Sequence, residues 1–210
     1  MAKPIFLTIL KYIEYNQQTD LTKIISLCGA PVSGKFLLAA ELAVKMSSKH
    51  SIIFENKLII SGEKNGHCNN IDLYLRTFDD NYKGILYYML TDMKNRTFAE
   101  QNKVDYVIYK ESIFDKISMI QTNNDLNETQ KSYLTEMLSS HESLFPSDVI
   151  VYCEPMEMTK DLLDEKSEMK RLQIDSNLMQ ILESKNIEFL AAKKTDKSRS
   201  DYILSKILNF

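Results

Sequence analysis

The 210-residue chain carries a formal net charge of −3, and 44% of its residues are hydrophobic. This length is typical of a single domain with a sizeable core, and we predict one domain over residues 1–210. Nucleic-acid binding requires a basic face that neutralises phosphates, and none stands out, so we expect no nucleic-acid partner. No stretch is long and apolar enough to span a bilayer, so we expect no membrane association.

Three cysteines, Cys28, Cys68 and Cys153, lie far apart in the sequence, which is typical of free thiols in a reducing compartment. The first ten residues lack the small-residue cleavage site of a secretory signal, so we expect an intracellular protein. His67-Cys68 has no second pair at metal-ligand spacing, so no protein-bound metal site is predicted. The abundance of Asn, Lys, Ile and Tyr is typical of an AT-rich genome, such as that of a virus, parasite or endosymbiont.

Apolar periodicity divides the chain into helices and strands. A short helix over residues 5–17 is predicted to precede the core. The predicted strands are 23–28, 51–55, 104–109, 148–153 and 187–191. The predicted helices are 36–45, 71–78, 82–98, 113–120, 127–144, 158–169, 176–184 and 200–208. Residues 58–60 either prolong the second strand or mirror it, and residues 63–70 are predicted to form a loop.

Two of these helices carry further signals. In helix 127–144, Asn127 is a candidate N-cap, with Gln130 at the third position of a capping box. In helix 82–98, six apolar residues fall on one face, as in an amphipathic helix: Tyr82, Ile85, Leu86, Met89, Leu90 and Met93. Five apolar strands that alternate with helices predict a three-layer α/β domain, with the ligand at the carboxyl ends of parallel strands.

A glycine-rich loop separates the first strand from the next helix. The sequence Gly29-Ala30-Pro31-Val32-Ser33-Gly34-Lys35 fits the phosphate-binding pattern G-x-x-x-x-G-K. In such a loop the backbone N–H groups and the helix N-terminus face the phosphates, and Lys35 adds a mobile positive charge. A chance Gly-Lys pair is the alternative, and the flanking strand and helix argue against it. Phe36 departs from the pattern, because the usual Ser or Thr hydroxyl binds Mg²⁺.

With these features, the chain resembles the deoxynucleoside kinase family. The segment Phe54-Glu55-Asn56 resembles the family's Glu-Pro, whose glutamate is the general base on the nucleoside 5′-hydroxyl. In the segment 109–116, Ser112 and the following Ile-Phe match the end of a family motif that reads Glu-Arg-Ser, then an aliphatic and an aromatic residue. Glu111 stands at the position of the family's arginine, and Lys110 at that of its glutamate. The strand 148–152 and the Glu-Pro that follows it also resemble the family.

The resemblance implies a lid over residues 160–176. The family has several arginines there, and this chain has Lys166, Lys170 and Arg171. These side chains could close over phosphates. Alternating charges in the same segment also fit an exposed helix.

The resemblance implies further site residues. Phosphate binding is assigned to Gly29, Ser33, Gly34, Lys35 and Phe36 with the lid cations, and catalysis to Lys35 and Glu55. The substrate-binding candidates are Tyr74, Tyr87, Tyr88, Lys94, Glu111 and Ser112, in the absence of the family's base-pairing glutamine. As alternatives, the tyrosines are core residues, and Lys94 and Glu55 are solvated charges.

Two hypotheses follow for the function. The first is a divergent deoxynucleoside kinase that uses ATP and Mg²⁺ to phosphorylate a nucleoside. In this hypothesis the five predicted strands, numbered in chain order, form a parallel sheet in the order 2-3-1-4-5. The second is a catalytically degraded member of the same fold that binds a nucleotide or another protein. Phe36 and Glu111 favour the second hypothesis, whereas Gly34-Lys35 and Glu55 favour the first. The resemblance also implies a homodimer.

Overall fold

The structure, a computed structural model, describes residues 22–54, 57–59, 78–156, 165–195 and 198–208. Its strands are β1 (Lys23–Cys28), β2 (Ile52–Phe54), β3 (Lys57–Ile59), β4 (Tyr106–Tyr109), β5 (Val149–Cys153) and β6 (Leu190–Ala192). Its helices are α1 (Lys35–Met46), α2 (Phe78–Gln101), α3 (Ile113–Gln121), α4 (Glu128–Leu144), α5 (Glu165–Ser184) and α6 (Arg199–Ile207). The predicted helix 5–17 and loop 63–70 lie outside these ranges, as does all but the last residue of the predicted helix 71–78.

One sheet contains all six strands, in the order β3-β2-β4-β1-β5-β6. The five strands β2, β4, β1, β5 and β6 pair in parallel. Numbered as the predicted strands are, this is the order 2-3-1-4-5, and the prediction is confirmed. β3 adds a sixth strand at the edge, antiparallel to β2. Of residues 58–60, Leu58 and Ile59 are described, and they pair with the second strand rather than prolong it.

Helices cover both faces of the sheet, which confirms the three layers. Ile25 and Leu27 of β1 lie in an apolar cluster with residues of α1 and α6. Cys28 points to the opposite face, into a cluster with residues of α2, α3, α4 and α5. Because successive side chains of a strand alternate between faces and residues 24–28 are all buried, β1 is buried on both sides. This central position brings the loop after β1 to the middle of the sheet's carboxyl edge.

Helix α5 corrects the sequence interpretation of two helices around a charged segment. It is continuous from Glu165 to Ser184. Its buried residues recur every three or four positions: Arg171, Ile174, Leu178, Ile181 and Leu182. One inward face therefore runs through the charged segment, while Glu165, Lys166 and Lys170 are exposed. Residues 165–176 of the expected lid form the first half of this helix, and residues 160–164 are not among the described ones.

The predicted apolar face of α2 is also wrong in part. Ile85 is buried, but Leu86, Leu90 and Met93 are exposed. The inward face instead includes buried polar residues, above all Asp92, whose carboxylate accepts hydrogen bonds from Arg96 Nε at 3.0 Å. Hydrophobic periodicity cannot detect a helix face that packs through a polar network.

This network joins α2 to α4 and to the segment before β5. His141 Nε2 lies 2.8 Å from Asp92 Oδ2, and both residues are buried. The guanidinium of Arg96 also donates to the backbone oxygens of Phe145 and Pro146. At the other end of α4, the predicted capping box between Asn127 and Gln130 is confirmed. No helix in the described part of the chain is long and apolar enough to cross a membrane.

Candidate functional site

The loop between β1 and α1 has a backbone path that only glycine can follow at its first position. Gly29 has φ +152°, and a Cβ there would lie 2.6 Å from the carbonyl oxygen of Cys153. Gly34, with φ +80°, precedes the first turn of α1 as its N-cap. A Cβ on Gly34 would lie 3.1 Å from the sulfur of Met156. Both motif glycines are therefore required by the shape of the loop.

Val32 occupies an unfavourable backbone region at the exposed tip of the same loop. Its φ is +61°, and its side chain is 53% exposed. A β-branched residue is a rare occupant of the left-handed region, and such a position costs about 1–3 kcal/mol. The surrounding structure therefore holds Val32 in a left-handed backbone conformation that a β-branched residue disfavours.

Lys35 is the first residue of α1, and its side chain folds back over the loop. The Nζ donates to the backbone oxygen of Gly29 at 2.6 Å and to Asp115 Oδ1 at 3.2 Å. Burial disfavours the charged ammonium, but the carboxylates of Asp115 and Glu111 outweigh this effect and raise the pKa of Lys35. The lysine thus remains charged next to the backbone N–H groups that would face a phosphate.

Asp115, which was not among the predicted site residues, organises this part of the site. Its Oδ1 accepts from Gly29 N at 2.9 Å and from Lys35, and its Oδ2 accepts from both the N–H and the hydroxyl of Ser112. The Ser112 contacts form the capping box of α3. The pattern Ser-x-x-Asp signals that box in the sequence. The contact with the loop has no local signal, because 80 residues separate Asp115 from Lys35.

Glu111 forms an ion pair with a lysine of α3. Its Oε2 lies 3.2 Å from Lys116 Nζ, which also stands 4.9 Å from the centroid of the Tyr88 ring. Burial raises the pKa of Glu111, but Lys116, Lys35 and Lys110 outweigh it, so the pKa is lowered overall. Glu111 is therefore an ionised group between cations rather than a lone negative charge facing the phosphates.

Phe36 and Lys110 form a second pair beside the loop. Lys110 Nζ lies 5.4 Å from the centroid of the Phe36 ring, which is 40% exposed and packs 6.3 Å from the Phe54 ring. Lys110 directly follows β4, the strand beside β1, so its backbone reaches the carboxyl edge next to the loop. The Lys110 ammonium thus lies against the aromatic ring that replaces the usual hydroxyl-bearing residue.

The cations of the expected lid face different environments. Arg171 is buried, and its Nε and Nη2 donate to the Glu168 carboxylate at 2.7 and 2.5 Å. Its Nη1 has no hydrogen-bond partner among the described residues. Lys166 and Lys170 are exposed. Only Arg171 of the three thus lies on the inward side of α5.

A cavity of about 480 Å³ lies beside the loop, between α5 and the end of β5. Arg171 and Leu172 line one side, and Glu154 and Met156 line the other. Met156 also approaches Gly34, so the cavity is adjacent to the phosphate-binding loop. The lining combines apolar side chains with the charged groups of Glu154, Glu168, Arg171 and Lys194.

Two further residues that the sequence analysis missed support the loop. Arg199, the first residue of α6, donates from Nη1 to the backbone oxygen of Ser33 at 3.0 Å. From α5, Asp175 Oδ2 accepts from the hydroxyl of Tyr152 at 3.0 Å. Burial raises the pKa of Asp175, while the Tyr152 hydroxyl and the Ala30 N–H oppose the rise. Ile174-Asp175 resembles an aliphatic-acidic stretch that follows the family's lid, but this pattern gave Asp175 no role, and Arg199 belongs to no local pattern.

The remaining predicted site residues lie in different places, and of them Tyr88 contacts Lys116, the partner of Glu111. Tyr87 is 55% exposed, and Tyr88 packs edge-on against His141 at 6.2 Å. Lys94 is exposed, two residues from Asp92, at the end of α2 that contacts the segment before β5. That is the amino edge of the sheet, opposite the loop. The predicted Glu55 and Tyr74 lie outside the described residues.

The two described cysteines flank the base of the loop as free thiols. Cys28 and Cys153 are fully buried and belong to apolar clusters on opposite faces of the sheet. Burial raises the pKa of Cys28, and it raises that of Cys153 to about 12. Both thiols are therefore protonated and unreactive at neutral pH.

The position that usually supplies a hydroxyl ligand to Mg²⁺ is Phe36 in this chain. Phe36 offers no oxygen, both oxygens of Asp115 already accept two hydrogen bonds each, and Glu111 is paired with Lys116. In the same ranges, no group of three or more His, Cys, Asp or Glu side chains could hold a metal ion. At the loop, however, the Ser33 hydroxyl and Asp175 Oδ1 are buried without a hydrogen-bond partner among the described residues, so oxygen donors remain although position 36 supplies none.

No protein-family model matches the sequence, and no curated protein matches it. Solved structures do share its fold. A NadR protein in complex with NR has a TM-score of 0.63 and 15% identity, over 90% of this chain and 52% of the NadR chain. Deoxyadenosine kinase from M. mycoides with bound dATP has a TM-score of 0.58 and 12% identity, over 89% and 99% of the two chains. Thymidylate kinase from Candida albicans has a TM-score of 0.51 and 13% identity, over 90% of each.

These similarities show the fold of P-loop nucleoside and nucleotide kinases. The resemblance that the sequence motifs indicated is thus confirmed at the level of the fold. The chain spans about half the length of the NadR chain that it matches.

Proposed function

We propose that this chain is a nucleotide-binding protein in which the loop Gly29–Lys35 holds the phosphates of ATP or ADP. The observation that carries the proposal is the position of Lys35. Its ammonium lies over the loop, at the N-terminus of a 12-residue helix and the carboxyl edge of the central strand. Loop N–H groups, helix dipole and lysine together form an anion site.

The similar structures support the choice of ligand. One NadR structure contains NAD and AMP-PNP, and the M. mycoides enzyme contains dATP. In this chain the cavity beside the loop is large enough for part of a nucleotide, with Met156 and Leu172 as its apolar lining.

Calorimetric titration with ADP and with adenosine tests the proposal. We expect ADP to bind and adenosine to bind far more weakly, because adenosine has no phosphate for the loop. Lys35→Met should abolish ADP binding, whereas Lys185→Met, at an exposed position near the end of α5, should not. Since Lys35→Met leaves the buried Asp115 without its cation, Lys35→Met/Asp115→Asn is the second variant. Equal binding of ADP and adenosine would contradict the proposal.

A second candidate function is phosphoryl transfer from ATP to the 5′-hydroxyl of a nucleoside, with Glu55 as the base. The observation that favours it is the inward position of Arg171, whose buried Nη1 lacks a partner within the described ranges. Such a donor suits the charge on a transferring phosphoryl group. We expect Glu55→Gln to lower turnover by about a hundredfold or more. The exposed Glu188→Gln should leave turnover unchanged.

Background transfer on every common nucleoside, with ADP binding intact, would leave nucleotide binding as the function. That outcome corresponds to the catalytically degraded member of the fold. The comparison separates the two candidates without any assumption about which nucleoside is accepted.

A further inference from the structure

Arg199 connects the phosphate-binding loop to the ends of two strands. Its guanidinium donates to three backbone oxygens: Nη1 to that of Ser33 at 3.0 Å, Nη2 to that of Glu154 at 3.2 Å and Nε to that of Lys193 at 2.9 Å. These oxygens belong to the loop itself, to the residue after β5 and to the residue after β6. Because the donors of a guanidinium have a fixed planar geometry, this one side chain fixes the loop relative to β5 and β6.

The charge of Arg199 lies close to the first turn of α1. A Cβ built on Gly34, the N-cap of that helix, would lie 3.7 Å from Arg199 Nη1. The three acceptors are neutral carbonyl groups, so these contacts do not neutralise the guanidinium. Arg199 therefore brings both a positive charge and a rigid hydrogen-bonding group to the loop.

The contact with Ser33 fixes the direction of one peptide group. In a planar trans peptide, the C=O group and the following N–H group point in opposite directions. The peptide bond between Ser33 and Gly34 is trans, and its oxygen accepts from Arg199. The N–H of Gly34 therefore points away from Arg199. A hydrogen bond from a charged donor also polarises the peptide group, which makes this N–H a stronger donor.

The loop is held from both faces of the sheet. Helix α6, which begins at Arg199, packs in the apolar cluster that contains α1, whereas α3 packs in the cluster on the opposite face. From the α3 side, Asp115 accepts from the N–H of Gly29 and from Lys35 Nζ. Since the N-cap of α1 is a glycine, it has no side chain to satisfy the N–H groups of the first turn. These N–H groups and that of Gly34 are the donors that the loop can offer to an anion.

We propose that Arg199 is a positioning residue for phosphate binding: it holds the Ser33 carbonyl on the α6 side of the loop and thereby directs the Gly34 N–H at a phosphate oxygen. The inference rests on the proposed nucleotide binding. Arg199 acts on the ligand through this peptide group rather than by direct contact. Its effect therefore depends on the geometry of the guanidinium as well as on its charge.

Calorimetric titration of the whole chain with ADP tests this role. Arg199→Met should weaken ADP binding by roughly tenfold, the usual worth of a hydrogen bond to a charged group. Arg199→Lys keeps the positive charge but has no planar fork, so we expect it to recover little of the lost affinity. Lys206→Met removes one charge from an exposed position near the other end of α6, and it should bind ADP as the wild type does.

The backbone signal of Gly34 separates peptide orientation from a general loss of structure. The chain has five glycines, so ¹⁵N-glycine labelling gives at most five backbone signals. Carbonyl labelling of serine selects the two glycines that follow a serine, Gly34 and Gly62, and Gly62→Ala tells them apart. We expect saturating ADP to shift the Gly34 proton downfield in the wild type, because a new hydrogen bond forms there. In Arg199→Met the shift at saturation should be much smaller.

Urea unfolding without ligand establishes that each variant is folded, and Arg199→Lys takes the place of Arg199→Met in both measurements if the latter is not. A folded variant that lacks the guanidinium but binds ADP as tightly as the wild type would overturn the inference. An equal shift of the Gly34 proton in wild type and variant would overturn it too. Both results would leave the proposed nucleotide binding standing. Absence of ADP binding to the wild type would refute nucleotide binding itself, and this inference with it.

Discussion

Lys35 and Asp115 form an ion pair in which Nζ lies 3.2 Å from Oδ1, with side-chain exposures of 14% and 3%. The same carboxylate oxygen accepts from the N–H of Gly29. The lysine that would bind a phosphate is thus already paired with an internal anion. Any incoming phosphate must compete with Asp115 for this ammonium, and this competition should limit the affinity for nucleotides.

Asp115→Asn should therefore increase the affinity for ADP, because the amide keeps a hydrogen-bond acceptor for Gly29 but no longer competes as an anion for Lys35. The same change should lower the free energy of unfolding by about 3–5 kcal/mol, the usual effect of breaking a buried pair. Calorimetry and urea unfolding measure the two effects. The exposed Asp125→Asn is the control and should change neither. A folded Asp115→Asn protein with unaltered ADP affinity would contradict the competition.

Val32→Gly should stabilise the protein by about 1 kcal/mol, because relief of strain at φ +61° exceeds the extra chain entropy of glycine. Val44→Gly, on the exposed face of α1, is the matched control. There we expect a loss of about 0.5–1 kcal/mol, since glycine weakens a helix interior. Urea unfolding measures both changes. If Val32→Gly destabilised as much as Val44→Gly did, the loop tip would carry no strain.

The network around Asp92 predicts a dependence of stability on pH. Burial raises the pKa of Asp92, but His141 and Arg96 outweigh it and hold the pKa below its usual value. The unfolded carboxyl therefore takes up its proton first as the pH falls. Asp92 therefore makes its full contribution to the free energy of unfolding above about pH 4. This contribution is lost as the pH falls through the lowered pKa of Asp92 in the folded state.

Asp92→Asn should accordingly reduce stability at pH 7 and flatten the decline of Tm below about pH 4. Thermal unfolding between pH 2 and pH 7 tests this. Asp125→Asn should retain the steeper acid decline of the wild type. If the Tm of the wild type and that of Asp92→Asn fell equally steeply at acid pH, Asp92 would have the same pKa in the folded and unfolded chains.

Substitutions of the lid residues Arg171 and Lys170 should differ in their effect on the affinity for ATP. Arg171→Met removes a buried guanidinium that lines the cavity, and we expect ATP to bind roughly tenfold more weakly. Lys170→Met, one residue away but exposed, should bind ATP as the wild type does. Calorimetric titration compares the two. Equal losses would indicate a long-range effect of charge rather than contact with the ligand.

Local features of the molecule could be predicted from the sequence alone. The loop Gly29–Lys35, its flanking strand and helix, and the cap at Asn127 all depend on residues that are neighbours in the chain. The order of the parallel strands was also predicted, because alternating strands and helices and the family resemblance restrict the topology. The loop, its flanking strand and helix, and the cap follow from backbone preferences and short-range hydrogen bonds.

Only the tertiary structure decided which side chains meet at the loop. Asp115 is 80 residues from Lys35, and Arg199 is 166 residues from Ser33, so neither contact has a local pattern. Likewise, Asp92 lies on the inward face of α2 because Arg96 pairs with its carboxylate and His141 hydrogen-bonds to it there. Burial of a polar group depends on partners brought together by folding, whereas periodicity reports only apolar residues on one element.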